Sequence, residues 1–143
     1  MSSAEVATIE NPVHERVEKL LCEILESKQL VFDGDGDVPI RWGSALFYVR
    51  VLDGTPPLVR VFSPMLRDVK SSRKLLVAIN EINAQIVSGR VFVLGTDVMV
   101  ATEIVASHLD RPELEHAVNA IGTIADTFDD DLQLVFGGHR GLD

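Results

Sequence analysis

The sequence has little cysteine, few basic residues and no long apolar run. Its single cysteine, Cys22, cannot form a disulfide within the chain, which favours a reducing compartment. Only 13 lysines and arginines stand against 22 aspartates and glutamates, and a formal charge of -9 repels nucleic acid and anionic membrane surfaces. No window has the apolar length that spans a bilayer, and the first residues lack the pattern of a signal peptide. These absences predict a cytoplasmic protein that binds neither nucleic acid nor membrane.

Catalytic and cofactor motifs are missing too. The glycines of Asp33-Gly34-Asp35-Gly36-Asp37 precede no predicted helix, so they do not form a phosphate loop. The same run begins like an EF-hand loop, but Val38 stands where that loop needs glycine and Ser44 where it needs glutamate. We interpret the run as a solvated acidic turn, and we expect neither a cofactor nor enzymatic activity.

Two other groups of polar residues keep a metal-dependent enzyme open as a less favoured alternative. His108 and His116 flank the start of the last predicted helix, near three acidic residues, Asp110, Glu113 and Glu115. Acids at a helix start are favoured by the helix dipole, and that is our preferred interpretation. Asp129-Asp130-Asp131 would point in different directions around a helix, so we expect a solvated face there.

The length of 143 residues, with 46% hydrophobic and 24% charged, predicts one globular domain. We expect a flexible leader at residues 1–10, a single domain at 11–138 and a frayed tail at 139–143. Apolar residues at helical spacing predict three helices: one from an Asn11-Pro12 start to near Lys28, one from Arg73 to a stop at Ser88-Gly89, and one from Asp110 to Gly137-Gly138. Within the second helix, Asn80 and Asn83 either hold a neighbouring loop or face water.

Alternating side chains predict five strands, at residues 39–42, 45–52, 58–62, 90–94 and 98–106. Short turns join the strands within each run, which favours antiparallel pairing. The prediction is therefore an α+β fold, a five-stranded antiparallel sheet with three helices in the order αβββαββα.

The segment from Ser44 to Pro64 is predicted to form the centre of this sheet. One face of its hairpin is apolar and suited to a core: Phe47, Val49, Val51, Val59 and Val61. The other face mixes aromatic, aliphatic and basic side chains: Leu46, Tyr48, Arg50, Leu58, Arg60 and Phe62. Aromatic residues and arginine are favoured at protein-binding hot spots. This second face is either a binding surface or is covered by a helix or a second subunit.

Three stretches, WGSALFYVRVLDGTPPLVRVFSPML, LLVAINEINAQIVSGRVFVLG and ADTFDDDLQLVFGG, lie between Val13 and Gly138. They make the chain resemble the YbjN-like family, whose fold is related to that of the type III secretion chaperones. Asn80, Glu81 and Asn83 match the lNelN pattern of that family, and the ending resembles actinobacterial members. The resemblance implies a type III secretion chaperone-like fold and a non-enzymatic domain that binds another polypeptide, often as a homodimer.

We therefore predict a cytoplasmic chaperone-like adaptor that binds a protein or peptide client on the sheet, with strand addition at an edge as one mode. The predicted contact residues are Tyr48, Arg50, Arg60 and Phe62. The two rings would supply apolar area, and the two arginines would pair with client carbonyls or carboxylates. The alternative is a regulatory or sensory protein that uses the sheet only to dimerise.

Overall fold

A computed structural model describes residues 12–141 and 143. The elements follow the predicted order: α1 Pro12–Ile24, β1 Val38–Trp42, β2 Ala45–Leu52, β3 Leu58–Leu66, α2 Arg73–Gln85, β4 Arg90–Leu94, β5 Asp97–Val105 and α3 Arg111–Phe136. The predicted leader and the predicted cap residue Asn11 lie outside the described residues.

The five strands form one antiparallel sheet in the spatial order β1-β2-β3-β5-β4. The chain passes from β3 through α2 to the far edge, where it forms β4, and then returns through a tight turn to place β5 beside β3. In the central hairpin, Tyr48 lies opposite Phe62 and Arg50 lies opposite Arg60. This register places the two rings side by side and the two arginines side by side on one face of the sheet.

The core lies between the sheet and the long helix α3, which packs across β1, β2, β3 and β5. Four of the five predicted core residues are buried, Phe47, Val49, Val59 and Val61, whereas Val51 is half-buried. Gly122 brings α3 close to the sheet, because a Cβ at this position would lie 2.8 Å from the Trp42 ring. Helix α1 packs against α3, and α2 packs against β4.

Helix α3 begins and ends as the sequence predicts. The Asp110 carboxylate accepts a hydrogen bond from the Glu113 N–H at 3.0 Å, and the Glu113 side chain accepts one from the Asp110 N–H at 3.4 Å. This capping box accounts for Asp110 and Glu113, whereas Glu115 pairs with Arg111 at 3.1 Å. Gly137, at a φ of 74°, ends the helix where a side chain would be strained.

The other two helices end earlier than we predicted. Helix α1 stops at Ile24, since Glu26 adopts a φ of 52° and the chain turns there. Helix α2 starts directly after Ser72, whose side chain accepts a hydrogen bond from the Leu75 N–H. The helix ends at Gln85 because Ile86 is already extended. Terminal turns of helices depend on cap geometry, which apolar spacing does not determine.

Two acidic groups that we predicted to be solvated contain a buried member. Asp37, in the acidic turn, is 3% exposed, and Asp129, in the triple-aspartate run, is 1% exposed. Ser44 Oγ lies 2.6 Å from Asp129 Oδ2 and 2.9 Å from Asp126 Oδ1. Since one hydroxyl proton cannot serve two carboxylates, Ser44 Oγ can bond both only if one of the carboxyl groups is protonated, and Asp129 Oδ1 is buried without a hydrogen-bond partner among the described residues. The predictions of solvation are therefore wrong for Asp37 and Asp129.

Proton uptake at this group is favoured by its surroundings. Burial raises the pKa of Asp129, with the nearby charges of Asp130 and Asp126 acting in the same direction. Hydrogen bonds from the Ser44 backbone and hydroxyl lower the pKa of Asp126. The two carboxyl groups, one helical turn apart, thus differ in their tendency to ionise.

The tail does not fray at the described residues. His139 and Arg67 exchange two backbone hydrogen bonds, of 2.9 and 3.0 Å, which continue the sheet beyond β3. Arg140 then pairs with Asp130 on α3 and with Asp143. We predicted fraying from the polar composition, but the paired backbone and ion pairs hold residues 139–141 on the domain.

Candidate functional site

We use the name helix-free face for the side of the sheet opposite α3. It carries Leu46, Tyr48 and Arg50 of β2, Leu58, Arg60 and Phe62 of β3, Arg90 and Phe92 of β4, and Met99, Ala101 and Glu103 of β5. The six predicted residues of the central hairpin are all half-buried on this face. The structure thus brings the four predicted contact residues together.

The two aromatic residues form a stacked pair at the centre of the face. The ring centroids of Tyr48 and Phe62 lie 5.5 Å apart, with 26° between the ring planes. The Arg50 guanidinium lies 5.0 Å from the centroid of the Phe62 ring. Stacking and cation–π contact hold these flat side chains against the sheet in a fixed arrangement.

Arg50 already has an ionic partner within the chain. Its Nε and Nη2 donate to the two carboxylate oxygens of Asp37, each at 2.6 Å. The Asp37 side chain is 4% exposed, whereas that of Arg50 is 39% exposed. The hydrogen bond to Asp37 is the main cause that raises the pKa of Arg50 above its usual value. The buried Asp37 carboxylate thus holds the partly exposed Arg50 guanidinium in place.

Arg60 is also paired. Its Nη2 donates to Glu103 Oε1 at 3.2 Å, and Arg90 donates to both oxygens of Glu103 at 2.6 and 2.8 Å. The hydrogen bonds from Arg90 and, to a smaller extent, the one from Arg60 lower the pKa of the Glu103 carboxyl. Arg60 Nε is buried without a hydrogen-bond partner among the described residues. Glu103 therefore neutralises positive charge from two strands.

The four charged residues lie in one row across the sheet. By register, Arg50 stands beside Arg60 and Arg60 beside Glu103, and Asp37, just before β1, reaches Arg50 through its carboxylate. Two arginines directly opposite each other would repel, and the carboxylate at each end of the row offsets that repulsion. We name this row the charge ladder.

A shallow depression of about 250 Å³ opens beside the stacked rings. None of its lining residues comes from a helix: they are Asp33, Asp35, Asp37, Tyr48, Arg50, Phe62, Pro64, Arg67, Leu94, Asp97 and Met99. We call the aromatic and aliphatic lining residues the floor and the charged ones, four aspartates and two arginines, the rim. Such a surface can hold side chains of a second polypeptide.

The acidic turn contributes three neighbouring carboxylates to this rim. Ligand atoms of Asp33, Asp35 and Asp37 lie within 4.8 Å of one another. Asp33 Oδ1 accepts the N–H groups of Asp35 and Asp37, at 2.9 and 3.0 Å, and both oxygens of Asp37 serve Arg50. These hydrogen bonds hold the turn together from within. The Arg50 guanidinium supplies the positive charge next to its carboxylates.

The alternative metal site at the histidines is not assembled. Within residues 12–141 and 143, the acidic turn is the only group of three or more such side chains close enough to share an ion. His116 lies 2.9 Å from Ser88 Oγ, and Glu113 belongs to the capping box. His108 and His116 therefore do not meet a third ligand there.

The two edges of the sheet differ. The Asn83 side chain bonds both the N–H and the C=O of Val91, at 2.8 and 2.9 Å, and so occupies the outer edge of β4. Of the two alternatives left open for the asparagines of α2, Asn83 holds a neighbouring segment, which is the strand β4 and not a loop. At β1, by contrast, no hydrogen bond to the strand from outside its pairing with β2 is found in the described part of the chain.

Sequence reasoning missed Asp37 and Glu103 as parts of the site. Apart from Asp97 at its first position, Glu103 is the only carboxylate in β5, and it lies directly opposite Arg60. That isolated charge in a strand was an available signal. For Asp37 the signal was weaker, since it is one of three aspartates in a turn and only the fold distinguishes it.

Comparisons with known proteins agree with this architecture. The model of a family described as T3SS (YopN, CesT) and YbjN peptide-binding chaperone 1 matches residues 11–143. A chain of the HopA1-SchA chaperone-effector complex is similar, with a TM-score of 0.63 and 13% identity over 85% of this chain and 97% of that one. A chain of the ExsC-ExsE complex has a TM-score of 0.61 and 13% identity, over 81% and 92% respectively. No curated protein matches the sequence. The structural likenesses confirm the predicted fold.

Proposed function

Because the chain belongs to the family of T3SS (YopN, CesT) and YbjN peptide-binding chaperones, its role is chaperone-like peptide binding, and we propose that it holds its client on the helix-free face. The observation that carries the proposal is the stacked pair of Tyr48 and Phe62 beside a depression that no helix residue lines. Fixed, half-buried rings offer contact area at little cost in conformational entropy.

The two arginines have a different part in this proposal from the one that the sequence suggested. Arg50 and Arg60 are already paired with Asp37 and Glu103, so the exposed parts of their half-buried side chains would contact the client as flat surfaces. The open edge of β1 would accept an extended client backbone, since Asn83 occupies the edge of β4.

We further propose that the protein acts without catalysis, as a cytoplasmic adaptor and as a homodimer. A groove of about 470 Å³ between α2 and the end of α3 supports dimer formation, since its apolar lining includes the exposed residues Val77 and Val135. No helix of the described residues is long and apolar enough to cross a membrane.

The test is a random peptide array probed with purified protein. Phe62→Ala should weaken the peptides that bind the wild type by about tenfold or more, since truncated hot-spot aromatics cost ~2 kcal/mol. Leu134→Ala, on the exposed side of α3, is the matched control and should bind as the wild type does. Equal binding by Phe62→Ala and the wild type, with both proteins folded, would remove the helix-free face as the client site.

A further inference from the structure

We infer that the client segment held on the helix-free face is basic and apolar, with lysine or arginine spaced among apolar side chains. This inference rests on the function proposed above and names the chemistry of its ligand. It departs from the expectation that Arg50 and Arg60 would attract client carboxylates.

The charge ladder is the first reason. Asp37 engages two donors of Arg50, and Glu103 engages Arg60 together with Arg90. An acidic client would have to displace a bidentate partner that is itself nearly buried, and so would leave a buried carboxylate unpaired. The arginines of the face are therefore poor sites for a client anion.

The second reason is the surplus of carboxylates around the depression. Besides Asp37, the charges of Asp33 and Asp35 also raise the pKa of Arg50, so three carboxylates act on one guanidinium there. Asp97 adds a further carboxylate to the lining of the depression. Apart from Arg50, the only basic residue in that lining is Arg67. The side chains of Asp35 and Asp97 have no ion-pair partner among the described residues.

The shape of the surface fits a basic side chain as well. The floor of the depression includes Tyr48, Phe62 and Met99, and its rim includes Asp35 and Asp97. A lysine or arginine has an apolar stem that can lie across rings and a charged head that stays near water. Its stem would cover the rings while its head pairs with a rim carboxylate, and the chain's charge of -9 would favour the encounter.

The experiment uses three synthetic peptides that share one set of apolar residues, spaced by lysine, glutamine or glutamate, titrated into the full chain by calorimetry. The lysine peptide should bind about tenfold more tightly than the glutamate peptide at low salt, since several exposed ion pairs each add a modest gain, and added salt should reduce the difference. The glutamine peptide should lie between them.

Variants then locate the effect. Asp35→Asn with Asp97→Asn should remove most of the preference for the lysine peptide over the glutamine and glutamate peptides. The matched control, Glu15→Gln with Glu23→Gln on α1, changes net charge equally and should keep the preference. A preference that survives the rim variant, or is lost equally in the control, overturns the inference.

Failure of the inference is distinguishable from failure of the proposed function. If the peptides bind, lose affinity in Phe62→Ala, and the glutamate peptide binds as tightly as the lysine peptide, the face is the client site and its basic selectivity is wrong. If no peptide binds, or Phe62→Ala changes the binding of none of them, both the site and the selectivity are overturned.

Discussion

Removing either partner of the ion pair between Asp37 and Arg50 should destabilise the protein, but by unequal amounts. The side chain of Asp37 is 4% exposed and that of Arg50 is 39% exposed. Loss of Arg50 therefore leaves a carboxylate that water does not reach, whereas loss of the carboxylate charge leaves a guanidinium that water partly hydrates. The cost of the two changes follows this difference in burial.

The magnitudes come from the bonds in the structure. Arg50→Met keeps the apolar stem and removes two donors at 2.6 Å, so the orphaned Asp37 should cost about 3 to 5 kcal/mol. Asp37→Asn keeps an acceptor for Arg50 and also keeps the backbone bonds of Asp37 to Asp33, so it should cost about 1 to 2 kcal/mol. In the double variant the cost should be well below the sum, because each change removes the same pair.

Urea unfolding at neutral pH, with equal slopes for all variants, gives these free energies of unfolding. Arg41→Met is the control, because Arg41 is exposed and its side chain has no hydrogen bond or ion pair in the described structure, so the cost should stay within about 0.5 kcal/mol. Equal costs for Asp37→Asn and Arg50→Met, or strict additivity in the double variant, would refute the assignment of Asp37 as the buried support of Arg50.

Two further changes test the packing around the site. Burial raises the pKa of Asp129, so the stability that its protonated form contributes is present below the usual value of about 3.8 and is lost as pH rises through the raised value. In urea unfolding, the free energy of unfolding of Asp129→Asn should therefore rise relative to that of the wild type as the pH increases from acidic to neutral. A difference between the two proteins that does not change with pH would contradict this. Asn83→Ala removes two hydrogen bonds to Val91, so it should cost about 1 to 2 kcal/mol and speed hydrogen exchange at the Val91 amide. Unchanged exchange at Val91 would mean that Asn83 does not hold the edge of β4.

The order of elements and the two faces of the central hairpin could be predicted because each depends on local spacing. Alternation places Phe47 and Val49 on one side of the sheet and Tyr48 and Arg50 on the other, whatever the rest of the chain does. The helix start at Asp110 could be predicted for the same reason, and the capping box that the structure shows there joins partners only three residues apart.

The ionic partners in the site could not be predicted in that way. Asp37 lies 13 residues from Arg50, and Glu103 lies 43 residues from Arg60. Alternation gives the face of a strand but not its neighbour, and β5 becomes the neighbour of β3 only because the chain forms β4 at the far edge first. Within one acidic run, one carboxylate can be buried while its neighbours are solvated, and only tertiary packing determines which one is buried.

The sequence by itself determined an acidic α+β domain and the side chains that share the helix-free face, because composition and period-two spacing act within one segment, and three of its stretches carried the resemblance to the family. Only the tertiary structure decided that Arg50 and Arg60 are neutralised from within, that Asp129 is buried, and that the edge of β4 is occupied while the edge of β1 has no partner among residues 12–141 and 143. The physical reason is that charge pairing and desolvation depend on distances between segments, which strand order determines and local pattern does not.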